Sequence, residues 1–265
     1  MEQTIGSRFW LWGHPLNSCR SYVDEEVEMN VTPAECARYF GLKNVYYVAF
    51  GHEMDMKVYS KDQDGISKTG LSVEKWGNPN ADRIEETFKL IPLFTNLNRL
   101  VFDDFFSEYT PSADSHIFTC KSITVAQLLK IRDRIHAAGL EMWVVLYQNN
   151  LEMKADLDEY LEVFDGVSFW FWSEPTIEEY NKYSQIFIDK TPGKRRLMGC
   201  YLYDFGRRKQ AVPELVRYQL DNNRKLMKQG ILDGVILHNN NFGGLNFPAY
   251  EEAKKWMDEH RDEII

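Results

Sequence analysis

The sequence predicts an α/β domain of the TIM-type (β/α)-barrel kind, and three observations predict it. Short apolar, aromatic and β-branched runs alternate with longer segments of helical period, the pattern of a mostly parallel sheet covered by helices. The 265 residues suit a barrel, which commonly uses about 250 without dividing. Two segments, Phe164-Asp165-Gly166-Val167 and Leu232-Asp233-Gly234-Val235, each follow a helical stretch and open an apolar one, so one turn chemistry is reused in successive βα units. Right-handed crossovers wind such units in one direction toward closure. No linker or composition shift interrupts the chain, and residues 1–265 are expected to form a single domain.

Taken in order, strands are expected at residues 8–12, 44–50, 99–103, 142–147, 166–172, 197–203 and 234–238. An eighth is not evident. The polar stretch 52–80, with Gly65, Gly70, Gly77 and Pro79, is expected as a loop insertion, with a hairpin or an irregular unit as alternatives. An incomplete seven-stranded barrel and an open doubly wound sheet stay open as readings. Thr32-Pro33-Ala34-Glu35 reads as a capping box with proline at the first helical position, and Thr124 with Gln127 and Thr176 with Glu179 repeat the box. Val125, Leu128, Leu129, Ile131 and Ile135 fall at helical spacing, and Gly139 stands where a C-terminal cap belongs. Further helices are expected over 82–94, 155–163, 178–188, 213–229 and 248–259, with Pro92 kinking or ending the first.

Composition excludes several functions. Hydrophobic residues at 44% and charged residues at 27% allow a full interior under a solvated surface. A net charge of −9 disfavours a nucleic-acid partner, and the lone basic cluster Arg207-Arg208-Lys209 reads as a solvated loop. Apolar runs such as 167–172 fall far short of the roughly 20 residues of a membrane span. No charged-then-apolar leader follows Met1, so a cytoplasmic protein is expected if the chain is full length and an exported one if a leader was removed. Cys19, Cys36, Cys120 and Cys200 form no CxxC pair, which points to reduced thiols rather than a zinc site or disulfide framework. GxGxxG, P-loop, GxSxG and HExxH motifs are absent from the sequence, so nucleotide, serine-hydrolase and common zinc-protease chemistry lack their signatures.

In a barrel, reactive side chains gather where strands end and βα loops begin. These ends are polar: His14; His52, Glu53 and Asp55; Asp103-Asp104; Tyr147-Gln148-Asn149-Asn150; Trp172-Ser173-Glu174; Tyr203-Asp204; and His238-Asn239-Asn240-Asn241. Asp103 and Asp104 interrupt an aromatic run, where a carboxylate needs a partner or a task. Strand alternation turns one toward the axis and the other toward a loop, unless the strand has already ended. One is then suited to be a general acid, its pKa raised by nearby Phe and its like-charged neighbour, while the other stays ionised. The structural alternative is a cap and an ion pair. Glu174 sits past an aromatic run whose faces suit a sugar ring, and its alternative is to favour the nearby helix start. Asp204 has the same strand-end logic, with Arg207 or Arg208 as alternative partners. Gln148, Asn149, Asn239 and Asn240 donate and accept, as sugar hydroxyls require, but Asn also builds turns. For His14 and His238 a satisfied structural histidine is the commoner role.

Phe102-Asp103-Asp104-Phe105, Asp165-Gly166-Val167-Ser168-Phe169-Trp170 and Gly199-Cys200-Tyr201-Leu202-Tyr203-Asp204-Phe205-Gly206 resemble short motifs of bacterial glycoside-hydrolase-like barrels, without matching one characterised family. The chain departs from the retaining clan with glutamates ending strands four and seven, because the fourth and seventh strand candidates end in Gln-Asn-Asn and His-Asn-Asn. The adjacent aspartates are similar to those of hexosaminidases in which the substrate's acetamido group is the nucleophile. That similarity implies Asp104 as general acid and Asp103 as the group orienting the acetamido.

The expected function is carbohydrate hydrolysis by Asp103, Asp104 and Glu174, without metal or other cofactor. Sugar contacts are expected from His14, Glu53, Tyr147, Gln148, Asn149, Trp172, Asp204, His238 and Asn239. Two other classes stay open. One is a divalent-metal sugar isomerase or lyase with Glu53, Asp103, Glu174, Asp204 and His238 as ligands; the other is a carbohydrate-binding barrel without chemistry.

Overall fold

The computed structural model describes residues 3–23, 26–48, 53–73, 82–106, 123–153 and 157–265, without the side chains of residues 53, 54, 82 and 83. Its strands are β1 (Phe9–Gly13), β2 (Asn44–Val48), β3 (Lys68–Val73), β4 (Leu97–Phe102), β5 (Glu141–Tyr147), β6 (Gly166–Trp170), β7 (Arg195–Tyr201), the short β8 (Tyr203–Asp204) and β9 (Lys209–Gln210), and β10 (Gly234–His238). Helices are α1 (Pro33–Phe40), α2 (Glu53–Tyr59), α3 (Asp82–Leu90), α4 (Val125–Ala137), α5 (Gln148–Glu152), α6 (Asp158–Leu161), α7 (Ile177–Lys190), α8 (Pro213–Lys228) and α9 (Pro248–His260). Parallel pairing closes a barrel in the order β1-β10-β7-β6-β5-β4-β3-β2, while β8 and β9 form a separate hairpin. This is the (β/α)8 architecture.

The eighth strand is β3, so the stretch expected as a loop insertion contains α2 and β3 instead. Lys68-Thr69-Gly70-Leu71-Ser72-Val73 hides as a strand because its inward positions carry little bulk. Gly70 pairs with Tyr46 on one side and Arg99 on the other, and a Cβ there would lie 2.3 Å from the Tyr46 ring and 3.3 Å from Arg99 Cγ. The neighbours fill the space that a larger β3 residue would need.

All three capping boxes form: Thr32, Thr124 and Thr176 accept from the amides of Glu35, Gln127 and Glu179, whose side chains reach back. Each cap contributes about 1 kcal/mol. Gly139, at φ 75°, follows α4 in the left-handed conformation that glycine adopts without penalty. Pro92 has the predicted effect, with α3 ending at Leu90 and a 3-10 turn following. The strands expected over 166–172 and 197–203 end at Trp170 and Tyr201.

The repeated Asp-Gly dipeptides are strand-start clamps at the bottom of the barrel. Asp165 donates its amide to Met142 O at 2.8 Å and accepts from Met142 N at 2.6 Å. Asp233 repeats both bonds on Arg196, each at 2.8 Å. The glycines that follow leave room for Trp143 and for Arg8 O. The Asp165-Gly166 start of this resemblance motif therefore organises the sheet, while its last residue, Trp170, reaches the strand-end cavity.

Inside the floor, Arg99 is 2% exposed. Its guanidinium lies 4.3 Å from the ring centroids of both Trp10 and Trp143, donates to Tyr46 Oη at 3.2 Å, and pairs with Glu141 at 3.2 Å. Trp12, Val48, Val101, Val145, Trp170, Leu197 and Ile236 fill the barrel interior. Gly199 makes room for Trp170, since a Cβ there would stand 2.0 Å from the indole. Gly199→Ala is expected to cost about 1–3 kcal/mol through overpacking, read as a lower urea midpoint with a shifted tryptophan emission. Helices cover the outward strand residues, as where Phe169 stacks on Phe187 of α7 at 5.2 Å. Among the described residues, no helix is long and apolar enough to cross a membrane.

Candidate active site

The C-terminal ends of the strands open into a cavity of about 850 Å³. Trp12, Val48, Val145, Tyr147, Trp170 and Tyr201 contribute barrel-interior side chains; Asp103, Asp104, His14, His238, Gln148, Asn149, Glu152 and Trp172 also line it. Eight of the residues named from the sequence are thus brought together: Asp103, Asp104, His14, Tyr147, Gln148, Asn149, Trp172 and His238.

Both aspartates reach the cavity because β4 has already ended at Phe102. Asp104 then takes φ 52°, a left-handed turn uncommon for a residue with a Cβ, and strict alternation no longer applies. Tyr147 Oη donates to Asp103 Oδ1 at 3.0 Å, and the Asp104 amide donates to the same oxygen at 2.9 Å. A hydrogen bond to a charged acceptor is worth about 1.5–3 kcal/mol, so Tyr147 fixes which way this carboxylate points. Burial, with the charge of Asp103 next in weight, pushes the Tyr147 hydroxyl well above its usual range. Tyr201 is pushed the same way by burial and then by both aspartates. The two phenols are consequently neutral donors at any ordinary pH.

Three of the sequence-named residues, Glu174, Asp204 and Asn239, are not brought into this wall. Glu174 is 8% exposed and accepts from Val212 N at 2.6 Å; it lies in a small cleft shared with Phe171, Gly199 and Ala211. Burial raises its pKa, partly offset by that amide. Asp204 has a fully buried side chain that pairs with Arg207 at 3.0 Å and accepts from the Arg207 amide. That is the structural alternative seen in the sequence, and it gives the basic cluster an internal task. Asn239 is fully buried behind His238. The Glu53 side chain lies outside the described residues, as do His52 and Cys120. Because Glu174 and Asp204 are held elsewhere, the five ligands expected for a metal isomerase do not converge. Among the described residues, no group of three or more His, Cys, Asp or Glu is placed to hold a metal ion.

After β10, Asn240 and Asn241 fasten a neighbouring loop. Asn240 accepts from His14 N at 2.6 Å and donates to His14 O at 3.1 Å and Val31 O at 2.7 Å. Asn241 accepts from Cys19 N at 3.1 Å and donates to Pro15 O at 3.0 Å. Each amide thereby satisfies backbone groups of the loop after β1, which carries His14, Ser18, Cys19 and Tyr22 to the cavity. Three of the four cysteines are free and buried, and burial pushes the Cys200 thiol up to about 12.

Sequence reasoning missed Glu152, Tyr22 and Tyr201. Glu152 ends α5 and accepts from Tyr183 Oη. Tyr22 and Trp172 both pack against Phe205, at 4.8 and 5.7 Å between ring centroids. Trp172 is 48% exposed, an apolar face left at the rim.

His238 lies 3.0 Å from His14 between their Nε2 atoms. Burial, then the neighbouring His14, holds its pKa well below the usual histidine range. The unfolded chain, with an ordinary value of about 6.5, takes up a proton that folded His238 refuses. Its contribution to stability is therefore present above about pH 6.5 and is lost as pH falls. Urea titrations from pH 7 to 5 are expected to show a decline of up to about 1.4 kcal/mol per pH unit from this group, and His238→Gln to flatten it.

No family model matches the chain, and no curated protein does. Solved structures match the barrel at low identity. A group IV chitinase of Ostrinia furnacalis has a TM-score of 0.56 at 12% identity, covering 94% of this chain and 99% of that one. The GH18 chitinase ChiB of Flavobacterium johnsoniae gives 0.56 at 9%, covering 98% and 95%. A Schiff-base-forming fructose-1,6-bisphosphate aldolase gives 0.57 at 13%, covering 96% and 94%. Proteins of different chemistry match equally well, so the likeness establishes the (β/α)8 barrel fold alone.

Proposed function

We propose that this barrel hydrolyses a glycan at Asp103 and Asp104, with an N-acetylhexosamine as the sugar cleaved. The observation that carries the reading is the pair itself: adjacent carboxylates on the cavity wall at the end of β4, one oriented by a tyrosine hydroxyl. Cleavage needs a proton for the leaving oxygen and an electron pair for the anomeric carbon. In this reading Asp104 gives the proton while the substrate's acetamido oxygen attacks the anomeric carbon, giving a cyclic oxazolinium. Asp103, held by Tyr147, accepts the acetamido N–H and steadies the positive charge. Water then opens the ring and returns a proton to Asp104, so acid and catalyst are regenerated. Trp172 at the rim offers an apolar face to a sugar ring, and Gln148 and Asn149 offer amides to its hydroxyls.

Fold analogy points the same way, since one matching barrel is an Ostrinia furnacalis chitinase in complex with allosamidin, at a TM-score of 0.54 and 12% identity. The described cavity wall supplies carboxylates and phenols rather than the lysine that Schiff-base chemistry uses. The test is turnover of aryl N-acetylhexosaminides and N-acetylchitooligosaccharides, with and without EDTA. Chelator-resistant hydrolysis is expected. Hydrolysis abolished by EDTA would favour a metal enzyme, and glycan binding without turnover would favour a binding barrel.

A further inference from the structure

The cavity wall past β5 carries a carboxylate that the proposed reaction does not use. α5 follows β5 directly and buries Asn150 and Leu151, while Gln148, Asn149 and Glu152 line the cavity. Those three positions fall within about 100° of one another around a helix, so they form one ledge. Asn150 Oδ1 accepts from Tyr147 N at 2.7 Å, which ties the ledge to the strand end. Tyr183 of α7, 6% exposed, donates its hydroxyl to Glu152 Oε1 and sets how the carboxylate is turned. Two lysines of α7 are engaged beside it without pairing with it: Lys182 Nζ donates to Tyr183 Oη at 3.4 Å, and Lys190 Nζ to Leu151 O at 3.0 Å. Among the described residues Glu152 has no ion pair. The described lining of the cavity carries Asp103, Asp104 and Glu152 and no Lys or Arg.

We propose that Glu152 is a specificity residue that selects a free, protonated amine on the sugar next to the cleaved N-acetylhexosamine, so that the preferred substrate is a partly de-N-acetylated amino-sugar chain. This rests on the glycan reading above and adds which neighbour the cleaved sugar has. A hydroxyl both donates and accepts, and the amides of Gln148 and Asn149 answer it in kind. An ionised carboxylate only accepts and an ammonium only donates, so Glu152 matches an amine in charge and in hydrogen bonding together. A sugar bearing a carboxylate or a phosphate would instead meet like charge, with no Lys or Arg in the described lining to receive it. Position assigns the neighbour. Glu152 lies past Tyr147 by roughly 7.5 Å along α5, at about 1.5 Å per residue, so it addresses the sugar beyond the one held at Asp103. Because Tyr183 already orients the carboxylate, contact with the ammonium costs little further side-chain freedom.

The experiment compares tetra-N-acetylchitotetraose with the same tetrasaccharide partly de-N-acetylated, for wild type and Glu152→Gln, following rates, tryptophan emission and the mass of the products. Wild type is expected to prefer the amine-bearing oligomer by about fivefold in kcat/KM, the upper end for an ion pair open to solvent. Its products are expected to end in an N-acetylated reducing sugar, with glucosamine at one fixed position beside the cut. In Glu152→Gln, where Tyr183 still has an oxygen to donate to, the preference is expected to fall below about twofold through a slower reaction of the amine-bearing oligomer. Raising the salt from about 0.1 to 1 M, which shortens the screening length from about 10 to 3 Å, is expected to do the same to wild type. Hydrolysis of both oligomers at equal rates, or a preference that survives Glu152→Gln, would overturn the role of Glu152 and leave the glycan reading standing. Binding of both without hydrolysis would overturn the hydrolytic reading, and the ratio of the two Kd values, with and without Glu152, would then decide the amine preference. Neither binding nor hydrolysis of either oligomer would overturn both.

Discussion

Asp104→Asn is expected to lower kcat on an N-acetylchitooligosaccharide by about 10²–10⁴, the usual contribution of a positioned general acid, with KM changed only a few-fold. The amide has nearly the shape of the acid, so the turn at φ 52° and the amide bond to Asp103 survive, and only the transferable proton is removed. The loss should shrink on aryl glycosides, whose phenolate leaves without protonation. A large loss on the oligosaccharide with a small one on the activated substrate would assign the acid specifically. Equal losses on both would instead indicate that Asp104 shapes the cavity. Initial rates with the two substrate classes, measured side by side, give the comparison.

Arg99→Ala is expected to produce the largest loss of stability, about 3–5 kcal/mol from a large-to-small truncation together with an unsatisfied hydroxyl. The side chain is held between two indoles and bonded to Tyr46 and Glu141, so truncation opens a hole and strips Tyr46 Oη of this donor. Glu141 is not left alone, because Arg195 also reaches it at 2.5 Å and Trp143 Nε1 donates to it at 2.8 Å. The cost therefore comes mainly from the lost packing and the orphaned hydroxyl, not from an isolated charge. Arg99→Met restores most of the volume and is expected to recover more than half of the loss. Urea unfolding of the three proteins checks the ordering, and a methionine variant no better than alanine would mean that charge pairing dominates.

The fold was legible wherever local chemistry repeats. The three Thr boxes, Pro92, Gly139 and the alternation of apolar runs with helical stretches all carried their structural meaning, because caps and periodicity act over a few residues. β3 was not legible. Its inward positions are Gly70 and Ser72, chosen by the bulk of Tyr46 and Arg99 on neighbouring strands, and that relation exists only once the barrel has closed.

The site divides along the same line. Strand-end reading found Asp103, Asp104, Tyr147, Trp172 and His238, since a barrel delivers such residues to one mouth. It could not separate them from Glu174 and Asp204, which stand at equivalent places but are held by Val212 N and Arg207. The asparagine run looked like sugar chemistry because Asn side chains donate and accept in either setting. Its partners at His14, Pro15, Cys19 and Val31 lie more than 200 residues away in sequence, beyond any local pattern. Glu152 and Tyr22 gave no signal, one at the end of a short helix and the other in a loop.

The most direct test of the central claim mixes tetra-N-acetylchitotetraose with wild type and with Asp104→Asn at one pH, following tryptophan emission and products together. Binding in both proteins with cleavage only in the wild type is the predicted result. Cleavage undiminished in Asp104→Asn, or neither binding nor cleavage in the wild type, would contradict it.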